Sequence, residues 1–200
     1  FELEFEGGVT VAAPSFRATI RRATPAEVEI LYSGASGPFV RVVYELPAGK
    51  AYLRKRIAVR RAGGPEARLL RADLENWAGV RRAWRTAGNR DRLPCASQPI
   101  YCDTLWAGVE FVAAFNEYGA DGFVLRSRPG GPRIGPGWYT LNSTVIGCSE
   151  PNRVRDAFLN YIEDVRLGPP RLVACYNTWW TYYAKDIGGE SYKALVRGMR

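Results

Sequence analysis

The residues best suited to chemistry lie near the end of the 200-residue chain, in the segment 174–183 (ACYNTWWTYY). Aromatic rings stack on the apolar faces of sugars, and an amide group forms paired hydrogen bonds with neighbouring hydroxyls. Asn177, Trp179 and Trp180 are therefore candidate substrate-binding residues for a carbohydrate. Because adjacent strand residues point in opposite directions, we expect one of the two tryptophans to pack in the interior.

A predicted strand and helix position these three residues. The apolar run Leu172-Val-Ala-Cys175 follows Pro169-Pro170 and indicates a buried strand, and residues 192–199 show helical spacing after it. In a (β/α)8 barrel the active site lies at the C-terminal ends of the strands. A single strand and helix cannot close a barrel. We therefore expect residues 169–200 to begin a truncated barrel whose remaining units lie beyond Arg200.

A second group of polar residues lies in the middle of the chain. Asp103, Glu110 and Glu117 occur near Trp106, a combination that suits general acid catalysis in a glycosidase. Their spacing places no two carboxylates on a shared face, so we interpret them as charges on solvated strand faces. The glycine-rich segment 130–137 lacks the Lys-Ser/Thr ending of a phosphate-binding loop.

The composition excludes several kinds of site. The chain has no histidine, which excludes Ser-His and Cys-His nucleophilic catalysis within it. Its four cysteines show no CxxC spacing, and we expect neither a metal nor a cofactor. Cys148 and Cys175 lie in apolar contexts typical of buried free thiols. Cys95 and Cys102 can pair if the protein is exported, but four reduced thiols is the simpler expectation.

The formal charge of +8 is typical of some nucleic-acid-binding proteins. The positive charge is nearly all arginine, however, and the arginines are spread between acidic residues without one dense tract. We therefore expect no nucleic-acid partner. No apolar segment is long enough to span a membrane, and we expect no membrane partner. A signal peptide lost with the true N-terminus leaves the localisation open between cytoplasmic and exported.

The first half of the chain shows the pattern of β-strands. To about residue 77, apolar and charged residues alternate in runs separated by Gly or Pro turns. This pattern predicts an antiparallel sandwich in which each sheet has one solvent-exposed face. In one run Leu53, Lys55, Ile57 and Val59 share a face, opposite three arginines. After an Arg-rich excursion at 78–104, strand patterns resume at 106–115, 122–126 and 138–146.

A strong amphipathic helix follows the strands. Apolar residues recur at helical spacing from Val154 to Val165, Gly168-Pro-Pro stops the pattern, and Ser149 with Pro151 is a suitable N-terminal signal. Antiparallel strands, a helix, and then a strand and helix indicate the entry into an α/β domain.

From about Ile100 onward the sequence resembles the glycoside hydrolases that include α-galactosidases and raffinose-synthase-type enzymes. The matching residues, in serial order, are Leu105-Trp-Ala-Gly-Val-Glu-Phe111, Arg128-Pro-Gly130, Thr144-Val-Ile-Gly147, Val154-Arg-Asp-Ala-Phe-Leu-Asn-Tyr-Ile162 and Tyr176-Asn-Thr-Trp179. The resemblance covers about half of the chain and lies in their order and spacing. After the strand-one tryptophan, where family members often have an acidic residue, this chain has Trp180.

The resemblance implies a mainly β fold: an antiparallel β-supersandwich at 1–148, a linking helix at 149–168, and the first βα unit of a (β/α)8 barrel at 169–200. It also implies a retaining glycosidase for α-linked sugars, with α-galactosides as the expected substrates. Its two catalytic aspartates would lie on later barrel strands, so no catalytic residue is assigned in this chain, and we expect the chain alone to be inactive.

Two other interpretations remain open. The chain can be a non-catalytic carbohydrate-binding or architectural β domain, or, as the weakest alternative, a basic nucleic-acid-binding module. The expected partner is a carbohydrate substrate, and self-association through the β domain is a further expectation.

Overall fold

The computed structural model of the chain describes residues 1–34, 37–86 and 98–169. Of these residues 51% lie in strands and 12% in helices, so the prediction of a mainly β fold is confirmed. The strands pair antiparallel throughout and form two sheets. The chain divides into two compact units, Phe1–Val165 and Arg166–Arg200, and every element below belongs to the first.

The smaller sheet has six strands, numbered here in chain order. They are β1 (Glu2–Phe5), β2 (Val9–Ala12), β7 (Ala67–Ala78), β11 (Phe115–Gly119), β12 (Gly122–Ser127) and β13 (Arg133–Ile134). The strand order is β11-β12-β7-β1-β2, and β13 pairs with β7. Short 3₁₀ turns at Glu6–Gly8 and Ala13–Ser15 flank β2.

The larger sheet has nine strands. They are β3 (Arg17–Ala23), β4 (Glu27–Ser33), β5 (Phe39–Glu45), β6 (Tyr52–Arg60), β8 (Arg85–Thr86), β9 (Ile100–Tyr101), β10 (Leu105–Val109), β14 (Tyr139–Thr140) and β15 (Thr144–Cys148). The strand order is β3-β4-β5-β6-β15-β10-β9-β8, and β14 pairs with β6.

The two sheets share one apolar core. Leu3 and Phe5 from the smaller sheet pack in the same buried cluster as Val40, Val42 and Ile57 from the larger sheet. The predicted alternation in β6 is confirmed at Lys55, Ile57 and Val59, which are buried, and at Arg56 on the opposite face, which is exposed; Leu53 is half-buried. Period-two patterning therefore identified the two faces of β6 correctly.

An ion pair crosses this core. Lys55 Nζ lies 3.1 Å from Glu75 Oε2, and the two side chains are 5% and 10% exposed. Lys55 also donates to the Leu74 carbonyl at 2.7 Å, and Thr144 Oγ1 donates to Glu75 at 3.1 Å. Burial lowers the pKa of Lys55 against the opposing attraction of Glu75. We call Lys55, Glu75 and Thr144 the inner centre.

Several strand boundaries differ from the predictions. The pattern at 106–115 is interrupted, because β10 ends at Val109 and β11 begins at Phe115. The pattern at 138–146 is likewise two strands, β14 and β15. The alternation predicted to about residue 77 places Leu70 on the same face as Ala72 and Leu74. This prediction is wrong at Leu70, which is 42% exposed while Leu69 is buried. A bulge opposite Glu4 and Phe5 shifts the register there and reverses the alternation.

One α-helix follows the strands in the described residues, α1 (Val154–Val165). The predicted cap at Ser149 is wrong. The Ser149 amide donates to the Thr104 carbonyl at 2.9 Å and extends the sheet, and a turn with Asn152 at a φ of 65° precedes the helix. Helix α1 contacts β10 and β15 and packs on the face of the larger sheet that points away from the smaller one.

Candidate functional site

The three predicted substrate-binding residues, Asn177, Trp179 and Trp180, lie outside the described residues. Their role stays a prediction, as does the barrel unit at 169–200. Among the carboxylates that were interpreted as solvated charges, Glu110 differs most from its expected environment. It directly follows β10, and its side chain is 14% exposed beneath α1.

Glu110 accepts hydrogen bonds from three side chains. Arg54 of β6 donates to its Oε2 through Nη2 at 2.8 Å and Nε at 3.1 Å. The hydroxyls of Ser143 and of Tyr161, which lies on α1, donate to Oε2 and Oε1, respectively. We call Arg54, Glu110, Ser143 and Tyr161 the outer centre. It joins a strand, two loop residues and the helix through one carboxylate.

The outer centre determines the protonation of its own members. Burial alone would raise the pKa of Glu110, but the hydrogen bonds from Arg54, Ser143 and Tyr161 outweigh burial and hold the pKa below its ordinary value. Burial and the hydrogen bond to Glu110 raise the pKa of Tyr161. At neutral pH Glu110 is therefore ionised and Tyr161 is a neutral donor. A general acid needs the opposite shift, so Glu110 is poorly suited to that role.

Beside the outer centre lies an aromatic cluster. Trp106 of β10 is 1% exposed, and its ring centroid lies 5.2 Å from that of Phe158 and 4.9 Å from that of Tyr161. Trp106 pairs across the sheet with Gly147, where an added Cβ would overlap the indole ring. Trp106 therefore fills a space that only glycine leaves open, and it presents no exposed surface for stacking on a sugar.

The other two carboxylates do not join the outer centre. Glu117 lies on β11 in the smaller sheet and accepts hydrogen bonds from Arg126 at 2.9 and 3.1 Å. Asp103 is exposed in the segment between β9 and β10. The prediction that the spacing gives no carboxylate pair agrees with this arrangement, but the prediction of a solvated face is wrong for Glu110.

A cleft of about 500 Å³ opens beside the outer centre, between α1 and the segment after β10. Its lining includes Glu110 and Tyr161 together with Phe111, Val112, Ile162 and Val165. The four apolar residues are 36–81% exposed, with Val165 at 36% and Val112 at 81%. Because the oxygens of Glu110 already accept three partners, the cleft offers an apolar surface with a fixed charge and no free catalytic group.

Other site classes have less support in the described part of the chain. No group of three or more His, Cys, Asp or Glu side chains there could hold a metal ion. Cys102 is a buried free thiol and Cys148 an exposed one, which corrects the expected burial of Cys148; Cys95 and Cys175 lie outside that part. No helix within 1–34, 37–86 or 98–169 is long and apolar enough to cross a membrane.

Comparison with known proteins gives no relative. No protein-family model, no curated protein and no solved structure matches the chain. The functional argument therefore rests on the residues and their geometry.

Sequence patterns missed the outer centre because its members are far apart in the chain. Arg54 and Glu110 are separated by 56 residues, and Glu110 and Tyr161 by 51. A usable signal was present in the aromatic residues. Three aromatic residues occupy strand positions that face away from the main core, namely Tyr52, Tyr101 and Trp106. Apolar residues on both faces of a strand are typical of a sheet that is covered on both sides.

Proposed function

We propose that this chain is the N-terminal part of a retaining glycoside hydrolase that acts on α-linked sugars, with α-galactosides as the first substrates to test. In this proposal the two antiparallel sheets form a β-supersandwich, α1 is the linking helix, and residues 169–200 begin a (β/α)8 catalytic barrel. The substrate-binding residues are Asn177, Trp179 and Trp180, and the catalytic aspartates lie on later barrel strands.

One observation supports the proposal best. Three of the segments that carry the family resemblance are adjacent in the fold, although the first of them lies more than 30 residues before the other two. Segment 105–111 contains β10, segment 144–147 lies in β15, and segment 154–162 lies in α1. Strands β10 and β15 pair directly, with Trp106 opposite Gly147, and α1 contacts both strands. A resemblance of unrelated fragments by chance would not be expected to gather around one packed cluster.

The chemistry of the described residues suits a supporting domain. Its best-placed carboxylate, Glu110, is held ionised by three donors, and Glu117 belongs to a different sheet. A retaining glycosidase needs two carboxyl groups about 5–5.5 Å apart, one of them protonated. The proposal therefore assigns the outer centre to the attachment of α1 and leaves the hydrolysis to the barrel.

The test compares the 200-residue chain with a longer product that includes the coding sequence downstream of Arg200. Both are assayed with 4-nitrophenyl α-D-galactopyranoside and with the corresponding α-glucoside. We expect hydrolysis with retained anomeric configuration by the longer protein only. A stop codon soon after Arg200 would overturn the proposal, as would a folded longer protein that cleaves neither substrate.

The alternative of a non-catalytic carbohydrate-binding or architectural domain is favoured by the separation of Asp103, Glu110 and Glu117, none of which pairs with another of the three. Tryptophan fluorescence of the 200-residue chain, titrated with galactose, separates these cases. A response that Trp179→Ala abolishes without loss of the fold, in a protein whose longer form hydrolyses nothing, would establish a binding domain. No response together with hydrolysis by the longer form would leave the enzyme proposal standing.

A further inference from the structure

The outward face of β3–β6 divides into two regions with different charge pairing. Toward one end, arginines are neutralised by carboxylates, as in the ion pairs Arg22–Glu27 and Arg56–Glu45. Toward the other end lie Arg17, Arg41 and Arg60, and none of these three forms an ion pair with any residue in 1–34, 37–86 or 98–169. The second region therefore carries three arginines outside any of these ion pairs, and Arg41, at its border with the first region, also lines a cleft with Glu27 and Glu29.

Strand register places these arginines on one face. Arg17 lies opposite Ser33, Ser33 opposite Phe39, and Phe39 opposite Arg60, which forms a row across four strands. The next row on the same face runs Thr19, Leu31, Arg41, Ala58 and Thr140. With strands about 4.8 Å apart, the backbone positions of Arg17 and Arg60 are roughly 14 Å apart.

An aromatic stack holds two of the arginines in place. The guanidinium carbons of Arg41 and Arg60 lie 5.0 and 4.8 Å from the ring centroid of Trp138, and Arg60 also lies 5.2 Å from that of Phe39. Trp138 is 36% exposed. A cation–π contact orients a guanidinium without neutralising its charge or occupying its full set of donors. Arg60 Nε is buried without a hydrogen-bond partner.

We propose that this face, which we call the arginine platform (Arg17, Arg41, Arg60 and Trp138), binds an acidic polysaccharide through the carboxylates along its chain. A guanidinium group forms paired hydrogen bonds with a carboxylate. Thr19, Ser33 and Thr140 occupy the same two rows and supply hydroxyls that match the hydroxyls of the sugar rings. A sheet face whose charges are spread over four strands suits an extended polymer better than a compact ligand.

The same geometry disfavours a single-stranded nucleic acid. Proteins that bind single strands stack successive bases on open aromatic rings. Here guanidinium groups lie over the rings of Phe39 and Trp138, so those ring faces are not open to a base. An acidic peptide would use the guanidinium groups but has no requirement for the neighbouring hydroxyls. The polysaccharide is thus the partner whose chemistry uses every part of the platform.

The test measures binding of the 200-residue chain to polygalacturonate by affinity electrophoresis and by titration at low ionic strength. The matched ligand is the fully methyl-esterified polymer, which keeps the sugar backbone and loses the carboxylates. The platform variant is Arg41→Gln/Arg60→Gln. The control variant, Arg22→Gln/Arg56→Gln, removes the same charge from the same sheet at arginines that already have carboxylate partners.

We expect the platform variant to bind polygalacturonate at least about tenfold more weakly, and the control variant to change by less than about threefold. Thermal unfolding of each variant shows whether its fold is retained. The variant Arg41→Lys/Arg60→Lys keeps the positive charge but removes the paired hydrogen bonds of the guanidinium groups. Equal losses in the platform and control variants, or equal binding of the methyl ester, would overturn the proposal. Tighter binding of oligo-dT or of poly-glutamate than of polygalacturonate would also overturn it. These measurements require no catalysis, so their outcome is independent of the proposed hydrolase activity.

Discussion

The inner and outer centres are built from neighbouring residues of the same two chain segments. Arg54 and Lys55 are adjacent on β6, and Ser143 and Thr144 are adjacent at the start of β15. Because successive strand residues point to opposite faces, one residue of each pair enters the core and the other faces α1. Each centre then contains a cation, a hydroxyl and a glutamate from another part of the chain, and the outer centre adds the hydroxyl of Tyr161.

The two centres differ in burial and in what they connect. In the inner centre the side chains of Lys55 and Glu75 are 5% and 10% exposed, and they join the two sheets. In the outer centre those of Arg54 and Glu110 are 34% and 14% exposed, and they join a helix to one sheet. The inner centre thus holds the two sheets together through the core, whereas the outer centre attaches α1 to the surface of the larger sheet. We expect disruption of the first to unfold the protein and disruption of the second to release α1.

The largest effect should come from Lys55→Met. Removing Lys55 leaves the buried Glu75 without its cationic partner, and we expect a loss of about 3–5 kcal/mol in the free energy of unfolding, measured with urea. The double variant Lys55→Met/Glu75→Leu should recover most of this loss, because both charges are then absent.

The matched control for Lys55→Met is Arg56→Met on the opposite face of the same strand. Arg56 pairs with Glu45 at an exposed site, so its loss should cost less than about 1 kcal/mol. Similar losses in Lys55→Met and Arg56→Met would contradict the distinction between a core constraint and a surface pair.

The next effect concerns the packing beneath α1. In Gly147→Ala the new methyl group would occupy the space of the Trp106 indole, and we expect a loss of about 1–3 kcal/mol with a changed near-ultraviolet circular dichroism spectrum. Gly137→Ala is the control, since its added Cβ would meet no atom within 4 Å. An unchanged spectrum in Gly147→Ala would show that Trp106 does not depend on this glycine.

A smaller effect should follow Glu110→Gln, which breaks the outer centre. Because Arg54 is 34% exposed, water can solvate its guanidinium group once Glu110 is neutral. We therefore expect a loss of about 1–2 kcal/mol in the free energy of unfolding, less than for a fully buried pair. Hydrogen exchange should accelerate in α1 and remain unchanged in β1 and β7. Equal acceleration in those two strands would show that the outer centre also supports the core.

The smallest effect is a pH dependence that belongs to Glu110. Its pKa in the folded protein lies below the ordinary value of 4.5, so its stabilising contribution is complete above that value. The contribution is lost as the pH falls through the pKa of the folded state. The difference in unfolding free energy between the wild type and Glu110→Gln should therefore be constant from pH 7 to about 5 and decrease below it. A difference that stays constant from pH 7 down to the lowest pH at which both proteins remain folded would contradict a role for ionised Glu110.

Local patterns predicted the inner centre in part and the outer centre hardly at all. The alternation in β6 placed Lys55 on the buried face, because the period of a strand is a property of consecutive residues. Glu110 was assigned to solvent because the apolar run 106–115 conceals the end of β10 at Val109. The α1 pattern from Val154 to Val165 was correct, but no local signal indicates which sheet face receives the helix.

The remaining errors have a common physical cause in contacts between distant segments. Leu69 replaces Leu70 in the core because of a bulge set by pairing with β1. Ser149 fails as a helix cap because its amide is already bonded to Thr104 across the sheet. In both cases a partner more than 40 positions away decides the conformation, and the sequence around the residue does not contain that information.

The adjacency of Arg54 to Lys55 and of Ser143 to Thr144 has a consequence for assembly of the chain. A slip of β15 by one residue relative to β6 would reverse the direction of every side chain in β15. Thr144 would then leave Glu75 without its hydroxyl donor, Ser143 would turn from Glu110, and Gly147 would no longer accommodate Trp106. Such an error would be penalised on both faces of the sheet at once. The two centres therefore specify the register of β15 against β6 from both faces of the sheet. This specification would disfavour misaligned forms even where the centres add little to the stability of the native protein.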